Sequence, residues 1–308
     1  MWAYLLNRFL QTLITVWGVV TIVFFILQLS GDPTVLMVPE GATEADIAEM
    51  RHQFGFDRPM IVQYGDYLWR LVNFDLGKSF IQQIPVSEII SARLSYTLYL
   101  ALGALLVALG MGLPVGVISA LKRGTVVERM LMPFVLVGQS MPTFWSGIIL
   151  IMVFAIQLDL LPSSGAEGFA SIIMPAICLG ALSMATFARI TRTSLIEEVD
   201  KDYVRVARAK GLGFPTILYR HVLPNASIPL ITISALELAN LLTGAVIVET
   251  VFAWPGLGLL AVQSIEARDF LVVQTIVLLG SVTYILLNLV ADILYGMVDP
   301  RIKTTGKG

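Results

Sequence analysis

Apolar residues gather along this chain in long unbroken blocks separated by polar stretches, instead of recurring at the period of a surface helix or strand. A helix needs about 20 apolar residues to cross the hydrocarbon core of a bilayer, because its backbone must satisfy its own hydrogen bonds there. Six blocks qualify: Phe9 to Gly31, Leu94 to Leu121, Met130 to Leu158, Phe169 to Ala188, Val222 to Val248 with Glu237 inside it, and Phe270 to Ala291, continuing past Asp292 to Val298. The pattern predicts an all-α membrane protein with six transmembrane helices. A seventh uncharged run, Thr250 to Ile265, is short and broken by Trp254-Pro255-Gly256-Leu257-Gly258, a turn signal. It is expected to be a re-entrant or interfacial segment at the outer surface. The organisation that follows is a first transmembrane helix over 1–31, a periplasmic segment over 32–93, and a five-helix core over 94–308. That core carries a cytoplasmic loop at 189–221 and the re-entrant segment at 250–265.

Composition agrees with a membrane protein: of 308 residues 56% are hydrophobic and 14% charged, above and below the respective norms for soluble domains. The net charge of -2 conceals a strong sorting along the chain. Lys and Arg near span ends prefer the cytoplasm. With the N-terminus inside, only Arg51, Arg58, Arg70, Lys78, Arg93 and Arg268 of the 20 Lys and Arg fall outside. A seventh span at 250–265 would move Arg301, Lys303 and Lys307 outward, so both termini are expected in the cytoplasm. Arg8 before an apolar run resembles a signal peptide, but the run is long and no small-x-small cleavage pattern follows, which predicts a retained first span. The single cysteine, Cys178, excludes an internal disulfide and a multi-cysteine metal site; inert packing is its expected role.

The loop between the fourth and fifth spans is the most informative stretch. Asp202 to Lys210 reads as a short basic helix, Gly211-Leu212-Gly213 as flexible punctuation, and Pro215 as the first turn of a second helix. This second helix is expected to run through Ile217, Leu218, Tyr219 and Val222 until Leu223-Pro224-Asn225 interrupts it. Either a helix–turn–helix elbow or a basic loop anchoring two spans fits this pattern. No Gly-x-x-x-x-Gly-Lys-Ser/Thr phosphate loop occurs, so no nucleotide site of the usual kind is expected in the chain.

The order Ala207, Gly211, Leu223-Pro224 resembles the cytoplasmic loop of permeases in binding-protein-dependent ABC importers. Its pattern is Glu-Ala-Ala, three residues, Gly, nine residues, Ile, one residue, Leu-Pro. Arg205 and Val206 stand where that pattern has Glu and the first Ala, and His221 stands for the Ile. Asp202-Tyr203 followed by Ala207-Arg208-Ala209-Lys210-Gly211 is similar to the peptide-importer branch. So are Gly31-Asp32-Pro33, Phe54-Gly55-Phe56-Asp57-Arg58-Pro59, Asp75 to Phe80, Val248 to Gly258 and Asp299-Pro300-Arg301, in that order along nearly the whole chain.

The resemblance implies a type I ABC importer permease fold and a place as the first of two permease subunits in a dipeptide, oligopeptide or nickel importer. The chain would be a transport subunit rather than an enzyme, with no catalytic or metal-ligating residue. Its partners would be a second, homologous permease in a heterodimer, two cytoplasmic ATPase subunits that bind ATP and Mg, a periplasmic solute-binding protein and the lipid bilayer, with no nucleic acid. Ala207, Gly211, Phe214, Leu223 and Pro224 would couple to the ATPase. Phe252, Trp254, Pro255 and Gly256 would gate the outer side and meet the binding protein, although an aromatic anchor at the membrane interface also explains that turn. Peptide is the first choice of cargo, followed by nickel or a metal chelate, glutathione and opine-like solutes.

Gln139 and Ser140, beside Met141-Pro142, and Glu237 with Asn240 are candidates for the pathway itself. Helix packing explains the first pair equally well. A carboxylate at mid-span costs roughly 2.5 to 3.5 kcal/mol on insertion scales, so Glu237 should point toward water or a partner, and Asn240, three residues on, shares its helix face. In the family an uncharged amide often stands at this place. Protonation, or pairing with the second permease, would also explain the acid. Outside this class, an ion-gradient transporter would call for related bundles and a relay of intramembrane carboxylates, whereas only Glu237 and Asp292 lie mid-span. An intramembrane hydrolase is disfavoured because neither His lies within a span and no Gly-x-Ser-x-Gly elbow exists.

Overall fold

In the computed structural model, residues 2–29, 34 and 43–298 are described; Gly31-Asp32-Pro33 and Asp299-Pro300-Arg301 lie outside them. Helices run in the order α1 (Trp2–Leu29), α2 (Glu44–Phe54), α3 (Met60–Val72), α4 (Val86–Leu121), α5 (Val126–Ser140) and α6 (Thr143–Leu150), the last continuing as a π-helix over Ile151–Gln157. Then come α7 (Ala170–Val199), α8 (Asp202–Ala209), α9 (Phe214–Ile217), a π-helical turn Leu218–Val222, α10 (Leu223–Ala226), α11 (Ile228–Val251), α12 (Leu257–Glu266) and α13 (Phe270–Val298). There is no strand among the described residues, only an isolated antiparallel bridge between Lys78 and Pro85.

Among the described residues, five helices are long and apolar enough to cross a membrane, and the bent pair α5 and α6 makes a sixth span if taken as one. Within the Met130 to Leu158 block that pair turns by 103° at Met141-Pro142. The proline ring crowds the preceding residue out of the helical region, and Met141 is accordingly extended at ψ 137°. Two other spans outrun their apolar blocks. α4 begins at Val86 rather than Leu94, since Val86, Ile89 and Ile90 are buried at helical spacing while Ser87, Glu88 and Ser91 face outward. α7 passes Ala188 and runs to Val199 for the same reason: Thr191, Leu195 and Glu198 are buried on one face, with Arg189 and Glu197 exposed. The fifth span starts later than expected, at Ile228 instead of Val222.

The chain divides into two compact units. One comprises residues 1–97 and 255–285. Here Val86, Ile89 and Ile90 of α4 pack with Leu260 of α12 and Val272 of α13, and Leu27 of α1 packs with Phe270 and Val273. The buried Ser79 hydroxyl donates to Asp269 Oδ2, the backbone N–H of Phe80 donates to Asp269 Oδ1 at 3.3 Å, and Leu257 N–H donates to Thr97 Oγ1 at 2.8 Å.

The other unit comprises residues 98–254 and 286–308 and is organised on α7. In the apolar window of that helix 61% of residues are buried, against 17% for α1, so α7 is a core element rather than a lipid-facing one. α4 lies very close to it at Gly112 and Gly116. A Cβ at Gly112 would stand 2.8 Å from Met184 O, and one at Gly116 2.6 Å from Ala188 O, so any side chain there would force the helices apart. This is the small-xxx-small device by which membrane helices bring backbones together.

Candidate functional site

The connection from α7 to α11 folds as a packed elbow. Asp202 in the first turn of α8 complements the helix dipole, and the apolar Val204 and Ala207 share one face of that helix. They join Leu195 of α7 with Ile217, Leu218, Val222 and Ala226 in a single buried cluster, against which Tyr203 and Leu223 pack. α8 ends at Ala209, and Gly211 just beyond it has a φ of +81°, open to glycine but strained for a β-branched residue. A Cβ there would meet nothing within 4 Å, so the requirement is one of backbone conformation, not of space.

A polar clasp completes the elbow. Glu198, 9% exposed, accepts from Lys201 Nζ and from the Tyr203 hydroxyl, the latter at 2.7 Å. Burial, reinforced by this hydrogen bond, raises the Tyr203 phenol above its usual range, so it remains a donor. Nearby, Arg192 Nε and the N–H of Gly124 donate to opposite oxygens of Glu128, at 2.7 and 2.6 Å.

Leu223-Pro224 does not interrupt the second arm as expected. The chain widens into a π-helical turn in which Leu223 N–H donates to Leu218 O, and Pro224, lacking an N–H, then sits in the first turn of α10. Asn225 Nδ2 satisfies His221 O at 2.9 Å.

Of the five residues expected to couple, Ala207 and Leu223 therefore belong to one apolar cluster. Gly211 and Pro224 are exposed, and Phe214 is 42% exposed with the Arg208 guanidinium 5.9 Å from its ring centre. A groove of about 180 Å³, lined by Leu121 of α4, Leu195 and Val199 of α7, and Phe214, opens beside them.

At the other end of α11 the chain turns sharply. Phe252 and Trp254 are 1% and 3% exposed, while Ala253 between them is exposed with a φ of +46°. Trp254 N–H donates to Glu249 O at 2.8 Å and Gly165 N–H to Phe252 O at 2.9 Å. Gly256 is buried and Pro255 half-buried. Sequence reasoning passed over Glu249, which has no exposed surface.

Among the pathway candidates, Gln139 and Ser140 are exposed at the end of α5, before the bend, and the Ser140 hydroxyl is spent on Leu136 O at 2.9 Å. Glu237 is half-buried and accepts from the Ser183 hydroxyl of α7 at 2.5 Å. Asn240 is exposed, and Thr243, Gly244 and Ile247 continue that exposed stripe along α11.

Residues 112–304 match the family described as the inner membrane component of binding-protein-dependent transport systems, and residues 1–101 match the N-terminal region of such membrane components. The chain belongs to this family. The permease is 36% identical to the dipeptide transport system permease protein DppB of Escherichia coli K12, over 97% of this chain and 98% of that one. It is 38% identical to the glutathione transport system permease protein GsiC of Salmonella typhimurium, with the same coverage. In solved structures the permease resembles the inward-facing MetNI methionine ABC transporter, with a TM-score of 0.59 and 21% identity over 69% of this chain and 97% of that one. An amino acid ABC transporter aligns at 0.52 and 19%, over 70% and 94% of the two chains. These likenesses support the type I permease fold. The permease is thus a multi-pass inner-membrane transport subunit of the dipeptide and oligopeptide branch of ABC importers.

Proposed function

We propose that this permease forms half of the membrane pathway of an ATP-driven importer for short peptides delivered by a periplasmic binding protein. The observation that carries this reading is the nearly full-length similarity to a dipeptide and a glutathione permease. A second, homologous permease supplies the other half of the pathway, and two cytoplasmic ATPases bind ATP and Mg and drive it. The elbow docks on one of them. Because Val204, Ala207, Ile217 and Val222 are buried together with Leu195 of α7, a push on Phe214 or Gly211 moves α7 with the elbow as one body. The sorting of Lys and Arg favours both termini in the cytoplasm. The turn from Phe252 to Gly256 acts at the outer end, with its aromatic rings turned inward and its backbone at Ala253 presented outward.

Glutathione is the second cargo reading, favoured by the 38% identity to its permease. Reconstitution with the partner subunits and the binding protein tests both. Uptake of a labelled dipeptide should require ATP and every component, and excess glutathione should compete only if the second reading holds. ATP turnover by the isolated chain, or uptake driven by an ion gradient alone, would overturn the proposal. In the same assay Glu237→Gln should reduce uptake of cationic peptides more than of neutral ones if the acid lines the pathway. Equal uptake of both would instead assign Glu237 to the bond with Ser183.

A further inference from the structure

A cavity in the unit of residues 1–97 and 255–285 is lined by residues other than those of the elbow and the pathway candidates, and its chemistry is that of a built site. It measures about 260 Å³, the bulk of about nine waters at roughly 30 Å³ each. Its walls are aromatic: Tyr67 stacks on Phe24 with ring centres 5.6 Å apart, and Phe54 and Phe56 meet Phe80 edge-on at 5.5 and 5.4 Å.

Set into these walls are polar groups with nothing to bond. Gln274 is only 5% exposed and lines the cavity, and its side-chain amide makes no hydrogen bond to another described residue. An amide that faces a cavity with its donors and acceptor unspent is available to an occupant. The Tyr67 hydroxyl also lines the cavity without a hydrogen bond, and burial raises its phenol, keeping it a neutral donor. Of the charged groups in the lining, Arg58 and Asp66 neutralise each other at 3.3 Å. Arg70 remains, with no acidic partner among the described residues, and gives the cavity a net positive charge.

We propose that this cavity binds a short organic carboxylate with an aromatic or aliphatic body. Arg70 holds the carboxylate through its planar fork, which matches that geometry, Gln274 and Tyr67 add hydrogen bonds, and the phenyl rings of Phe24, Phe54 and Phe80 cover the apolar part. The site stands whether or not peptide is the imported cargo.

Equilibrium dialysis of the assembled transporter in nanodiscs, without its binding protein, tests the site with 3-phenylpropionate and its neutral amide as probes. Saturable binding of one carboxylate per chain is expected, with the amide bound at least tenfold more weakly. Arg70→Gln should weaken the carboxylate at least tenfold, whereas Lys78→Gln, a neighbouring cation outside the cavity, should leave it unchanged. Gln274→Leu, which keeps the volume, should weaken it about threefold and decides the matter if Arg70→Gln disturbs assembly. A diazirine derivative of the probe should label residues 54–80 or 270–274. Absence of saturable binding, equal binding of acid and amide, wild-type affinity in both cavity variants, or labelling confined to α5, α7 and α11 would overturn the proposal.

Discussion

The elbow and the segment that carries α2 and α3 are both made of short helices, and they are held in opposite ways. α8, α9 and α10 each bury apolar residues in one cluster with α7. α2 and α3 bury no residue at all. α3 is held instead by ring contacts such as Phe24 with Tyr67, and by hydrogen bonds such as Thr21 with Tyr64 and Gln28 with Gln63 at 2.6 and 2.7 Å. The difference teaches what each region can do. An element with a shared apolar core moves as a body and can transmit displacement, while one held by partial burial and scattered polar bonds makes a cover that tolerates change and leaves room for a cavity.

The sharpest way to break this comparison is to remove buried volume in the elbow. Ile217, with no exposed surface, should cost about 2–5 kcal/mol when changed to Ala. Ile61→Ala on α3, where the side chain is 70% exposed, should stay within about 0.5 kcal/mol. Denaturant unfolding of the purified permease compares them, and equal losses would erase the distinction. Next in size is Ser79→Ala, which strips the buried Asp269 carboxylate of its hydroxyl donor and should cost about 1–3 kcal/mol. A neutral result would mean that the unit of residues 1–97 and 255–285 does not depend on this tie.

The smallest effect concerns Asp57, exposed and paired with His52 Nδ1 at 2.6 Å. The hydrogen bond to His52 lowers the Asp57 carboxyl below its ordinary value of 3.8. A depressed carboxylate contributes stability above its unfolded value and loses it as pH falls through the folded one. Asp57→Asn should therefore lower the thermal midpoint slightly at pH 7, by an amount that shrinks as the pH falls below 3.8. A difference that stays constant as the pH is lowered through the acid range would assign the effect to something other than this ionisation.

Much of this architecture was legible from unbroken apolar runs, because a backbone in lipid has few alternatives to a helix. The ends of α4 and α7 were not, since Ser87, Glu88, Arg189 and Glu197 end the apolar run while the helix continues with one buried face. Pro142 marked where the third span yields, but not the 103° turn, which a proline's local sterics alone do not set. In the elbow, Gly211 and Pro215 announced the joint. The π-helical turn around Leu223-Pro224 left no signal, because i→i+5 bonding has no distinct residue pattern. Glu198 read as one of two adjacent acids, and only the fold shows which one is buried. The bond from Ser183 to Glu237 joins residues on two different helices, and no local pattern announces such a pair.

The central claim is that the elbow carries force from an ATPase to α7, and the ratio of peptide imported to ATP hydrolysed tests it most directly at Gly211. Gly211→Val cannot hold φ near +81° without strain of about 1–3 kcal/mol, whereas Gly211→Asn can adopt that conformation more readily. The account predicts that Gly211→Val assembles normally and hydrolyses ATP but imports little, with Gly211→Asn close to the unmodified permease. Wild-type import by an assembled Gly211→Val transporter would contradict it.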